Sequence, residues 1–151
     1  MRNTKLALRK AVYDLLKDQI VIDEVTIPVF DEKRQAGVGS GNLFIVLSTQ
    51  QESESTWQTD CNFCNRSSID IEIMVKTAYE VTKDTQDDVE QQILDILFPS
   101  YAGDVLQDAV PGLCIQNLRR ERSLTRNLTL SNSESVMQTI ITVVADITEQ
   151  S

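Results

Sequence analysis

Between Ser67 and Ser100 the chain changes from one hydrophobic period to another. Ile69, Ile71, Ile73 and Val75 alternate with Asp70, Glu72, Met74 and Lys76. Successive side chains of a strand point to opposite faces, so this period of two gathers the isoleucines on one side and mostly polar groups on the other. Beyond Tyr79, Val89, Ile93, Ile96 and Leu97 recur at the spacing of a single helix face. A strand with one apolar face followed by a helix with one apolar stripe requires a layer of helix on sheet to bury both. The isoleucine face is expected to bury the helix, leaving Asp70 and Glu72 for solvent or a neighbouring molecule.

The flanking segments extend this layer. Leu6, Leu8, Val12, Leu15 and Leu16 form a helical stripe, with Asn3 or Thr4 as its N-cap. Val25, Ile27 and Val29 alternate as a short strand, and Pro28 confines it to a sheet edge or a strand end, because proline cannot donate to a ladder. Leu43 to Leu47 is continuously apolar and reads as a strand buried on both sides. Its polar continuation, Ser48 to Trp57, either projects as a hairpin arm or frays into a loop. The second helix is expected to begin near Thr85, capped through Thr85 and Asp88, and to end at Pro99. Leu113 to Leu130 and Val136 to Ile147 read as two long strands around the polar turn Ser131 to Ser135. In the second of these, Ile140 and Val144 face away from Ile141 and Val143, so both sides of that strand should meet protein. The expectation is one α+β domain over residues 1–151. It is an α/β sandwich, a mostly antiparallel sheet with two helices on one face in the order α-β-β-β-α-β-β, with a polar arm around 50–66.

Composition excludes much chemistry. The chain has 151 residues and no histidine, which removes the commonest general base and metal ligand and every Ser-His or Cys-His pair. Net charge is −9, from 23 acidic and 14 basic residues, a balance that repels rather than gathers nucleic acid. No apolar run approaches the roughly 18 residues of a membrane span, and the first residues lack the apolar core of a secretory signal, so synthesis in the cytosol and no membrane partner are expected. Gly37, Gly39 and Gly41 lack the Lys-Ser/Thr of a phosphate loop and precede a strand, which favours a flexible connection. Cys61 and Cys64 form a C-x-x-C without the second pair or the histidines that zinc needs, and they sit in a polar loop. The carboxylates of Asp84, Asp87 and Asp88 suit a helix N-terminus and a solvated face. No catalytic residue, metal ligand or cofactor site is expected.

One local feature runs against the acidic balance: Arg119, Arg120, Arg122 and Arg126 cluster on one predicted strand. Strict alternation would aim Arg120, Arg122 and Arg126 one way and Arg119 the other. The cluster reads either as a solvated strand face or as a positive surface that meets the acidic surface of a neighbouring subunit, since guanidinium groups suit ion pairs between subunits. The net charge argues against a large DNA footprint.

Taken over nearly its whole length, this order of elements resembles the tail-terminator family of tailed bacteriophages and the related neck-ring proteins that join head to tail. The resemblance rests on the helix Leu6 to Leu16, the extended Val25 to Phe30, the polar insertion Gln50 to Arg66, the strand Ile69 to Val75 feeding Val89 to Leu97, and the closing hairpin Leu113 to Ile147. It implies a non-enzymatic virion protein, assembled in the host cytoplasm, that forms a hexameric or dodecameric ring. Such a ring contacts connector or tail-tube proteins and lets DNA pass through its channel without specific binding. It also implies subunit-interface roles for Arg119, Arg120, Arg122 and Arg126, for Asp84, Asp87 and Asp88, and for Glu52, Glu54 and Trp57 of the arm. The competing classes are a non-viral adaptor or binding module, which needs no ring, and a small enzyme using carboxylates or Cys61 and Cys64, which needs a concave pocket with convergent acids.

Overall fold

The structure, a computed structural model, describes residues 4–31, 43–54, 64–76, 83–99, 105–129 and 135–149. Helix α1 spans Thr4–Leu16 and is followed by three two-residue strands, β1 Val21–Ile22, β2 Val25–Thr26 and β3 Val29–Phe30. Then come β4 Leu43–Glu54, β5 Cys64–Lys76, helix α2 Lys83–Leu97, β6 Leu113–Thr129 and β7 Ser135–Glu149. Strands β1 and β2 pair with each other, while the other five form one sheet in the order β3-β4-β5-β7-β6. Only the β3–β4 pair is parallel. This is the expected α+β sandwich, with a small hairpin added after α1.

Strand β5 runs between β4 and β7, so both of its edges are hydrogen-bonded. Its Ile69, Ile71 and Ile73 are fully buried in one core with Leu8, Val12 and Leu16 of α1 and Val89, Ile93 and Leu97 of α2. Strand β7 adds Ile141, Val143, Ala145 and Ile147, and β4 adds Ile45 and Leu47. Burying each such side chain stabilises the fold by about 1.5–3 kcal/mol, which more than offsets the weak intrinsic stability of helices this short. On the opposite face, Phe44 and Val46 make a second, smaller cluster with Phe30 and Met74. The Phe30 and Phe44 rings meet edge to face at 6.1 Å.

Several boundaries differ from expectation for identifiable reasons. The single strand expected over Val25 to Val29 is two. The Ile27 amide donates to the Ile20 carbonyl at 2.8 Å and the Pro28 carbonyl accepts from Ile45 at 2.9 Å. The main ladder therefore starts only at Val29, with β3 as the edge strand that proline permits. Helix α2 begins at Lys83, which places Thr85 inside the first turn rather than at an N-cap. It stops where expected: the last turn closes with Phe98 N–H on the Leu94 carbonyl at 2.8 Å, immediately before Pro99. The polar continuation of β4 is an ordered ladder as far as Glu54, which pairs with Asn65. Asn3, the Gly37 to Gly41 segment, Trp57, Cys61 and the turn over 131–134 lie outside the described residues, and Cys64 opens β5. No described helix is long and apolar enough to cross a membrane.

Replacing Ile71 by Ala should lower the unfolding free energy by about 2–5 kcal/mol through lost transfer energy and a residual cavity. Leu124→Ala, at an exposed site, should change it by less than about 0.5 kcal/mol. Urea titration of both variants measures the contrast.

Candidate assembly surfaces

The four arginines do not alternate as a regular strand would have them. Strand β6 carries two register shifts against β7, between Gln116 and Arg119 and between Arg120 and Arg122. At the first, Asn117 adopts φ 56°, a left-handed conformation that asparagine tolerates better than most residues. The extra residue lets Leu118 enter the core on the helix side. As a result Arg119, Arg122 and Arg126 lie opposite Val144, Thr142 and Gln138, on the face away from the helices, whereas Arg120 lies opposite Val143 on the helix side. The expected grouping of Arg120 with Arg122 and Arg126 is thus corrected: the bulges exchange Arg119 and Arg120.

Asp70 and Glu72 are also placed differently from expectation. They are only 8% and 3% exposed, so neither is a solvent-facing acid. Each is satisfied across the ladder. Thr142 donates its hydroxyl to Asp70 Oδ1 at 2.7 Å, and Ser48 donates to Glu72 Oε2 at 3.1 Å. The amide of Gln138 donates to the other Glu72 oxygen. Gln138 in turn accepts from Arg126 Nε at 2.8 Å. Further along β7, Asp146 accepts from Arg66 Nε at 3.2 Å and from Asn117 Nδ2 at 3.1 Å, and Arg119 stands 3.8 Å from its second oxygen. Burial of a carboxylate is tolerated only with such partners, and the three central strands supply them because facing residues share a face.

This face is stratified by charge. Carboxylates lie at the level of the sheet, and guanidinium groups lie above them: Arg66, Arg122 and Arg126 are exposed, and Arg119 is half-buried. Arg120 and Arg122 make no ion pair with any described residue. Toward solvent the face therefore presents positive charge, and Leu124 stands among the arginines opposite Ile140.

The helix side carries the opposite sign. Gln86, Val89, Ile93 and Leu97 of α2 are buried, so the helical period turns Asp84, Asp88 and Asp95 outward, with Asp87 beside them. Next to this stripe, Gln92 clamps the β1–β2 hairpin: its amide donates to the Val21 carbonyl at 2.9 Å, and its oxygen accepts from Val21 N–H at 3.1 Å. The two-residue loop of that hairpin is Asp23 and Glu24, both exposed and both left-handed at φ 49° and 64°. Positive φ at both loop positions is what the twist of a two-residue hairpin requires, and it is normally met by Asn-Gly or Asp-Gly. No glycine marks the loop, so the sequence carries no ordinary hairpin signal there.

Of the other residues expected at an interface, Glu52 and Glu54 pair with Ser67 and Asn65 in the β4–β5 ladder, away from both α2 and β6. The geometry thus brings Arg119, Arg122 and Arg126 together on one side and Asp84, Asp87 and Asp88 on the other. Among the described residues, no three His, Cys, Asp or Glu side chains converge as metal ligands would.

No family model and no curated protein matches the chain. Among solved structures, the fold is shared with a chain in the virion of a native gene transfer agent particle. The TM-score is 0.61 at 14% identity, over 93% of this chain and 94% of that one.

Glu72→Ala removes the acceptor shared by Ser48 and Gln138 and should cost about 1–3 kcal/mol of stability, because buried donors are left unsatisfied. Asp84→Ala, on the exposed helix face, should cost less than about 0.5 kcal/mol. Paired thermal and urea unfolding curves check the difference.

Proposed function

We propose that the chain is a structural protein of a phage-like particle, forming a ring at the head–tail junction or the tail end around the DNA channel. The observation that carries this reading is the fold it shares, over nearly the full length of both chains, with a virion chain of a gene transfer agent particle. The role is one of assembly: the ring terminates or joins the tail, is built from six or twelve copies, and meets connector or tail-tube proteins at its ends. DNA passes through without a specific contact, in keeping with a net charge of −9.

Closed rotational assembly uses a heterologous interface, in which two different surfaces of each subunit complement one another. The charge pattern supports this arrangement. Arg119, Arg122 and Arg126 lie on the face of the sheet away from the helices and the acids of α2 lie on the outer side of the helix layer, so these two groups are set to meet between successive copies. Opposite charges at such a contact steer association and set its direction more than they add affinity.

The double substitution Arg120→Glu and Arg122→Glu should abolish the ring and leave the fold intact, since both side chains are exposed. Light scattering should report a fall from ring mass to subunit mass. An unchanged oligomer mass would remove these arginines from the interface.

A further inference from the structure

The described residues expose only three large hydrophobic side chains: Val21 at 43%, Val25 at 61% and Leu124 at 50%. Scattered singly, such residues need no explanation. Here their placement follows the charge. Val21 and Val25 belong to the hairpin clamped by Gln92 against α2, beside Asp88 and next to Asp23 and Glu24. Val21 shares a face with Thr26, and Val25, the more exposed, stands on the other face. Leu124 lies between Arg122 and Arg126 on the opposite side of the sandwich. One surface is thus apolar with an acidic surround and the other apolar with a basic surround.

We propose that the β1–β2 hairpin of one copy docks on the Leu124 patch of β6 in the next copy of this chain. Val25 covers Leu124, while Asp23, Glu24 and Asp88 face Arg122 and Arg126. The inference rests on the ring reading above and names the segment that completes its interface. Two properties of the hairpin suit it to this task. Its loop has both central residues in the left-handed region, and its first strand is held to α2 by a bidentate side chain, so it is fixed before contact. Desolvation of Val25 and Leu124 gives affinity, and the surrounding charges exclude the reversed, like-on-like pairing. The two patches differ in sign, which selects a second copy in head-to-tail orientation over a two-fold partner that would oppose arginine to arginine.

The test uses the 151-residue chain with Cys61→Ser and Cys64→Ser, in which the remaining Cys114 is buried. Val25→Cys and Leu124→Cys are introduced singly and together and treated with a short bismaleimide. The double variant should give a ladder of cross-linked multimers, and each single variant should remain uncross-linked. In parallel, Val25→Glu should weaken self-association at least tenfold by light scattering without altering the circular dichroism spectrum. If the unmodified chain forms rings but the double variant gives no ladder and Val25→Glu associates normally, the hairpin docking is overturned and the ring reading survives. Cross-linking of Leu124→Cys alone would show a two-fold contact and overturn the proposed orientation. A chain that stays monomeric and uncross-linked throughout overturns both.

Discussion

The architecture depends on the alternation along β5, because that strand has a hydrogen-bonded neighbour on each side. Every second residue from Ile69 to Ile73 enters the core beneath α1 and α2, and the intervening residues are carried to the other face, where they meet side chains of β4 and β7. Once the isoleucines are buried, Asp70 and Glu72 cannot be placed elsewhere; slipping the register by one would bring them into the apolar core. Their cost of burial is met laterally, by Ser48 from one neighbour and Thr142 and Gln138 from the other. The apolar face and the polar network are two consequences of one period.

That network also shapes the outer surface. Carboxylates engaged at the level of the sheet leave the longer guanidinium stems to define what a partner meets. An acidic protein thereby gains a positive face, while the acids of α2 and of the β1–β2 hairpin keep the helix side negative. The subunit is polar in the direction of its own layers, a property that favours head-to-tail contact between copies over symmetric pairing. The two bulges in β6 take part in this, since without them Arg119 and Leu118 would exchange faces.

Much of the fold was legible because long segments kept one period throughout: both helices and β4 to β7 are visible in the sequence, as is the burial of β7 on both sides. What escaped was everything that depends on a departure from a period. The hairpin at Val21 to Thr26 was hidden because Asp23 and Glu24 occupy positions where glycine is usual. Helix α1 likewise ends through Asp18 at φ 60° rather than through a glycine. Bulges shift facing by one residue without a composition cue, so the arginines could be located but not oriented. The burial of Asp70 and Glu72 was missed because their partners are distant in sequence, with Thr142 and Gln138 on the far side of α2 and β6. The acids of α2, which depend only on helical spacing, were placed correctly.

In the proposed assembly a charge-asymmetric subunit closes into a ring by successive contacts between its two unlike surfaces. The most direct measurement is the rotational symmetry of the isolated protein in electron-microscopic class averages. The proposed assembly gives closed annular particles with six or twelve equivalent copies around a central opening. Particles of monomer size, or compact dimers with two-fold symmetry, would contradict it.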